Sequence, residues 1–213
     1  METEHVGKIP ERYQLLKSYI QGKRVLHIGC VGHDWRRSLG TNWIHHYIVK
    51  YAESSVGMDC MRDAVKKLSQ NGFNMLYGDA EDFNLGSKFD TIFAGELIEH
   101  LEDFRGFFES CKKHMNADSK LILTTPNSFG ARYIIMNLLN RQHVNPEHVC
   151  IFDSATLKQL LGRHGFEVET VRYISLDKDF SGKVKGFFLR QFERLPRSKP
   201  VLFVVAKIRN AIR

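Results

Sequence analysis

The stretch Arg24–Asp34, RVLHIGCVGHD, decides the fold. Val25 to Ile28 reads as a buried strand, and Gly29 and Gly32 follow it in a turn. Glycine has no Cβ and tolerates positive φ, so both positions let the backbone approach a ligand closely. The stretch therefore implies a parallel α/β sheet built around a nucleotide-like cofactor, and the rest of the chain tests that implication.

Working outward, the order of elements fits. Pro10 to Ile20 has helical spacing, with Tyr13, Leu16 and Ile20 on one side and Gly22 to end it. Past the turn, Asn42 is placed to cap a helix carrying Trp43, Ile44, Tyr47, Ile48 and Tyr51. A short strand Val56–Met58, a helix Met61–Gln70 and strands Asn74–Tyr77 and Asp90–Ala94 come next, then a helix from Asp103 to His114 and a strand Lys120–Thr125 stopped by Pro126. Five strands separated by helices or turns are the pattern of crossover units in a parallel sheet. Residues 127–150 break the rhythm with an apolar helical piece, Tyr133–Leu139, and polar HVNPEH. This segment follows the carboxyl end of the fifth strand, where open α/β sheets bind ligands, and reads as a lid or substrate-facing insertion. Ser154 is expected to cap a helix Ala155–Arg163 closed by Gly165, before strands Phe166–Ile174 and Val201–Ala206.

The 213 residues fit one domain, 1–213, with an elaboration. No apolar run approaches the roughly 18 residues that span a bilayer, and the polar start METEHVGKIPER lacks the apolar core of a signal peptide. The expected location is the cytoplasm. Cys30, Cys60, Cys111 and Cys150 form no Cys-x-x-Cys pair, which excludes the common thiolate zinc and redox motifs and leaves packed, reduced thiols. Of the net charge of +7, Lys178–Arg213 carries +8 and the first 177 residues are about neutral. Within it the basic segment 178–199 places Val184, Phe187, Phe188, Phe192 and Leu195 on one helical face. That face either packs on the domain or meets an anionic membrane surface or acidic partner such as RNA, and the membrane reading would make the protein membrane-peripheral.

The strand ends carry the chemistry. Asp59 closes the second strand, where a carboxylate can accept both hydroxyls of a ribose, or it is an exposed strand-end acid. Gly78-Asp79-Ala80-Glu81-Asp82 closes the third, where Asp79 can accept from an adenine amino group and Ala80 can let the ring approach, or the run is an acidic turn.

With those residues in view, HIGCVG, VGMD, YGDAEDF, FDTIFAGELIEHL and LILTTPN resemble the ordered motifs of class I S-adenosylmethionine-dependent methyltransferases, over about Val25 to Val171. The similarity is to small-molecule and glycan O-methyltransferases of the methyltransferase type 11 and type 23 group. It implies a Rossmann-like, mostly parallel seven-stranded sheet with helices on both faces, and S-adenosylmethionine as cofactor. Carried over, the cofactor-binding residues are His27, Gly29 and Gly32 at the turn, Asp59 and Cys60, Asp79 and Ala80, and Glu96. His27 stands where that family has an acidic residue, Val31 and His33 replace two of its glycines, and Gly32 supplies a turn glycine one residue away.

GELIEHL places Glu96, Glu99 and His100 just after the fourth strand, and a helical turn there puts all three on one face. With His148 from the insertion they form a possible site for magnesium, manganese, zinc or iron. Glu-x-x-Glu-His with a later His is similar to the metal-binding set of small-RNA 2'-O-methyltransferases of the Hen1 type. The other reading is that Glu96 contacts cofactor while Glu99 and His100 are structural or acid/base groups. Methyl transfer from a sulfonium needs alignment and a deprotonated acceptor. His100 is the first candidate for the base and His148 the second. Asn127 either contacts substrate or caps the insertion, and His45 and His46 are assigned no role. The expected acceptor is a hydroxyl on a sugar, glycan or other small metabolite; the alternatives are 2'-O-methylation of RNA and a degenerate, non-catalytic binding domain.

Overall fold

The computed structural model describes residues 10–32, 36, 43–141, 144–175 and 195–209. Its strands are β1 Arg24–Ile28, β2 Ser54–Asp59, β3 Met75–Tyr77, β4 Phe89–Gly95, β5 Met115–Pro126, β6 Phe166–Ile174 and β7 Val201–Ile208. They form one sheet in the order β3-β2-β1-β4-β5-β7-β6. The first five run parallel, and β7 is inserted antiparallel between β5 and β6. This is the seven-stranded, mostly parallel arrangement that the motifs imply. The strand order reverses between β1 and β4, so a crevice opens above their carboxyl ends, the usual ligand position of such sheets.

The helices are α1 Glu11–Ile20, α2 Ile44–Tyr51, α3 Arg62–Gln70, α4 Phe104–Lys113, α5 Ala131–Leu138 and α6 Ser154–Arg163. Alternation along the strands sorts the core into layers. Leu26 and Ile28 of β1 join Ile92, Leu121 and Leu123 beneath Phe107, Phe108, Leu157 and Leu161 of α4 and α6. Val25, Phe93 and Ile122 face Leu16, Ile20 and Ile48 of α1 and α2. Both faces of the central strands are covered, which is why they read as continuous apolar runs.

Most expected boundaries move by one or two residues, and the larger differences have local causes. Strand β5 starts five residues before Lys120, because Ser119 bridges a register shift: its hydroxyl donates to the Phe89 carbonyl and accepts from Asn116 N. The polar NADS, unassigned between the expected helix and strand, is the start of a bulged strand. Strand β2 likewise extends beyond Val56–Met58. The cap of α6 is Asp153, not Ser154: its carboxylate accepts from Ala155 N and Thr156 N, and Thr156 Oγ1 accepts from Asp153 N. The Asn42 cap and the segment 178–194 lie outside the described residues; of the apolar face expected there, Leu195 is described, and it is 62% exposed. Among the described residues no helix is long and apolar enough to cross a membrane.

Candidate active site

The first half of the site is the floor at the ends of β1, β2 and β3. Gly29 and Gly32 have φ of 66° and 68°, and a Cβ at Gly29 would lie 2.9 Å from Leu97 Cδ1. Both glycines are therefore favoured by backbone conformation, and at the first a Cβ would also have to displace the end of the Leu97 side chain. Asp59 braces the turn they form: Oδ2 accepts from Val31 N at 2.9 Å and Oδ1 from Met61 N at 3.0 Å. It is 7% exposed, a buried brace and not an exposed strand-end acid. Each oxygen still has lone-pair capacity for a ribose hydroxyl. Cys60 follows it, exposed. Gly78 N donates to Asp59 O, which draws the end of β3 against that of β2. Beyond it Asp79 is exposed, accepting from Glu81 N, and Ala80 packs on the main core. The run is an acidic turn and also an accessible one, so the two readings of it are compatible.

His27 departs from expectation. It is 1% exposed, with Nδ1 3.2 Å from Nδ1 of the fully buried His45 and its ring 5.0 Å from that of Phe93. The pleat turns its side chain with Val25 into the layer under α1 and α2, so it supports the turn from below and is not presented to a ligand above it.

The second half is built after β4. The expected single face of Glu96, Glu99 and His100 does not form. Glu96 sits at φ 53°, the left-handed region that a non-glycine residue rarely adopts, and only Ile98–His100 turn, as a 3-10 helix. Glu96 instead brings Oε1 to 3.9 Å from Arg12 Nη1 of α1. Glu99 is 1% exposed; Oε2 accepts from Thr125 Oγ1 at 2.9 Å, and Oε1 lies 4.0 Å from His148 Nε2 and accepts no hydrogen bond from any described residue. Burial, then the neighbouring Glu96 charge, pushes the Glu99 carboxyl well above the ordinary carboxylate range.

The insertion is sewn to this turn by its returning segment. Glu99 O accepts from Val149 N and Cys150 N, and Glu147 O accepts from His100 Nδ1 at 3.1 Å. A carbonyl can only accept, so the proton of neutral His100 is on Nδ1 and its Nε2 carries a lone pair. The rings of His100 and His148 meet edge to face at 4.7 Å.

Three of the four expected metal ligands thus converge: one ligand atom each from Glu99, His100 and His148 lies within 4.8 Å of the others. Glu96 is not in the group, because its backbone turns it toward Arg12. The buried Oε1 of Glu99 and the carbonyl-oriented imidazole of His100 fit a divalent ion, and two imidazoles with one carboxylate suit zinc or iron(II) better than magnesium or manganese.

Two residues bordering this cluster carry no sequence signal for a site. Arg12 lies on α1, outside every motif. Tyr133 of α5 is half-buried, its phenol pushed up by burial and then by the charge of Glu96. Asn127 resolves to a structural role: fully buried, it donates from Nδ2 to the carbonyls of Arg197 and Lys199 and accepts from Phe129 N. Glu81 also proves structural, accepting from Glu102 N and Asp103 N ahead of α4. A cleft of about 350 Å³ lies elsewhere, lined by Arg105, Glu109, Lys112, Arg163, His164 and Gly165. It runs along α4 to the end of α6, and Lys112 and Arg163 in it complement the negative ends of those helices.

A family model described as a methyltransferase domain matches residues 7–171. No curated protein sequence matches the chain. Among solved structures, the fold resembles S-adenosylmethionine-dependent methyltransferases from Archaeoglobus fulgidus (20% identity, TM-score 0.61, covering 92% of this chain and 94% of that one) and Mesorhizobium loti (17%, 0.62, 92% and 95%). A complex titled DhpI-SAH is similar at 13% identity and TM-score 0.58, covering 93% and 82%.

Proposed function

The chain belongs to the class I S-adenosylmethionine-dependent methyltransferases, and from that premise we propose that it methylates oxygen, on a hydroxyl of a sugar, glycan or other small metabolite. Gly29 and Gly32 would hold the methionine portion of the cofactor, Asp59 and Cys60 its ribose, and Asp79 and Ala80 its adenine, and the bound cofactor would supply the methyl group. Glu96 and the cluster beyond it would stand on the acceptor side of that floor. The acceptor oxygen attacks the methyl carbon, the carbon–sulfur bond breaks to leave S-adenosylhomocysteine, and the acceptor proton passes to His100 Nε2. Holding the two reactants in line supplies several kcal/mol, and a base adds typically 10²- to 10⁴-fold.

The observation that carries this reading is the hydrogen bond from His100 Nδ1 to Glu147 O, which leaves a basic nitrogen beside Glu99 and His148. Where a divalent ion binds, Glu99, His100 and His148 would hold it, and it would acidify the acceptor hydroxyl by its charge. His100 cannot serve as ligand and base at one nitrogen, so the two uses are separable. Calorimetry with zinc, manganese and magnesium in the presence of S-adenosylhomocysteine decides between them. No heat with any of the three leaves the base role; saturable binding lost in His148→Ala gives the ligand role.

The reaction itself is tested by transfer of labelled methyl groups from S-adenosylmethionine to a panel of sugars, glycans and small hydroxylated acceptors. Label in an ether is expected; label only in amine, thiol or carbon products overturns the oxygen assignment. A second reading, 2'-O-methylation of an RNA end, draws on the same cluster and on the +8 charge of Lys178–Arg213. Labelling of an RNA oligonucleotide that collapses between 50 and 200 mM salt would favour it.

A further inference from the structure

We propose that His27 and His45 are a positioning pair for the cofactor: the hydrogen bond between their Nδ1 atoms locks α2 beneath the Gly29–Gly32 turn and sets the affinity for S-adenosylmethionine. This rests on the reading of that turn as the cofactor site.

The pair lies where the turn must be held. Its 3.2 Å contact crosses from β1 to the first turn of α2. Two residues earlier, Trp43 Nε1 donates to the carbonyl of Cys30, inside the turn itself, at 2.6 Å. A Cβ on Gly57 of β2 would fall 2.9 Å from Cys30 Sγ and 3.1 Å from His45 Cε1, so turn, helix and neighbouring strand all meet at one glycine. Asp59 then grips the following residue, Val31, from the other side. Moving His45 therefore moves Trp43, and with it the carbonyl of Cys30.

The bond constrains protons as well as position. Two facing imidazole nitrogens attract only if one carries hydrogen and the other a lone pair. The rings must be opposite neutral tautomers, one protonated at Nδ1 and the other at Nε2. The surroundings favour neutrality. Burial, and then the facing charges of His45 and Arg12, lower His27; burial, and then His46, lower His45 to about 4. The other ring neighbours, Phe93, Trp43 and Phe73, are uncharged. The nearby thiol of Cys30 is pushed up by burial and then by Asp59, and so stays protonated.

The test is calorimetric titration of the full chain with S-adenosylhomocysteine at 10 °C, for the wild type, His45→Leu, His45→Asn and Leu161→Ala. Leu161→Ala is a control for stability alone, since its cavity lies in α6, away from the turn. His45→Leu is expected to weaken binding about tenfold, the loss of roughly one buried hydrogen bond. His45→Asn keeps a polar group near the Nδ1 position and is expected to bind within threefold of wild type. Leu161→Ala is expected to lower the melting temperature and leave affinity within twofold. Nitrogen-15 spectra of wild-type histidines at pH 7 should show one buried ring protonated at Nδ1 and the other at Nε2, a readout independent of whether any variant folds.

Equal affinity in His45→Leu and Leu161→Ala, or matching tautomers in the two rings, would overturn the pair's role with the cofactor site intact. No binding by the wild type would overturn the cofactor reading beneath it, and the proposal with it.

Discussion

Asp59 and Glu99 are both buried acids at the carboxyl end of a strand, and the protein treats them in opposite ways. Asp59 takes a backbone N–H on each oxygen, and its charge helps to hold the turn. Glu99 receives one hydroxyl on Oε2, faces the like charge of Glu96, and keeps Oε1 beside His148 without a hydrogen bond from any described residue. A buried carboxylate that is hydrogen-bonded stabilises a fold, whereas one left desolvated beside another acid costs it stability. Such a cost is typical of a site held for chemistry. The cofactor floor is thus built from satisfied groups, and the acceptor side from groups held at a cost.

The largest expected effect falls on the costly side. With S-adenosylmethionine saturating, His100→Ala should lower methyl transfer to any acceptor found by the labelling screen by about 10²- to 10⁴-fold. Retention of full turnover would remove His100 as the base.

Asp59→Ala comes next, on the satisfied side. It abandons two backbone N–H groups that were bonded to a charge, worth about 1.5–3 kcal/mol each. Chemical denaturation should show a loss of about 3–6 kcal/mol on the same basis. A change below about 0.5 kcal/mol, the usual scale of surface substitutions, would mean that the turn does not depend on its brace.

Glu99→Gln should go the other way. A folded-state carboxyl raised above its unfolded value contributes stability that is present at low pH and lost as pH rises. Replacing it by an amide that still accepts from Thr125 should stabilise the protein by about 1–2 kcal/mol at pH 8, and much less at pH 4. Methyl transfer should fall at the same time. Destabilisation at pH 8 would show that the Glu99 charge is well satisfied and would dissolve the contrast with Asp59.

The smallest effect concerns the histidines under the turn. Both are lowered in the folded state, His45 to about 4. Between that range and the unfolded value near 6.5, the unfolded chain binds more protons and stability rises with pH. Read in a Glu99→Gln background, which removes the opposing slope of that carboxyl, melting temperature should therefore be level above about pH 6.5 and fall as pH drops below it. His45→Asn should flatten that slope, and an unchanged slope would show that another group controls it.

These contrasts also mark how far the sequence can be read. β1 and β4 stand out because buried parallel strands leave short apolar runs, β6 because its polar and apolar residues alternate after Gly165, and Gly29, Gly32, Asp59 and Asp79 follow because ligands gather at strand ends. The start of β5 hides because Ser119 supplies a side-chain bond where the local sequence carries no strand pattern. The pairing of His27 with His45 joins two elements across a segment that carries no periodic signal. Glu96 escapes because nothing in GELIEHL marks a residue at positive φ. Without that backbone the three polar residues look like one helical face. Arg12 and Tyr133 arrive from distant elements, and only tertiary packing brings their charge and hydroxyl to the site.

The central claim is that cofactor binding and acceptor activation are carried by these two separate groups of residues. Its most direct test is calorimetric titration with S-adenosylhomocysteine of wild type, Asp59→Ala and His100→Ala at pH 7.5. Asp59→Ala should bind at least about tenfold more weakly, in line with the loss of one or more charge-assisted hydrogen bonds, while His100→Ala should bind within about threefold of wild type. Weak binding by His100→Ala together with wild-type affinity in Asp59→Ala would contradict the division.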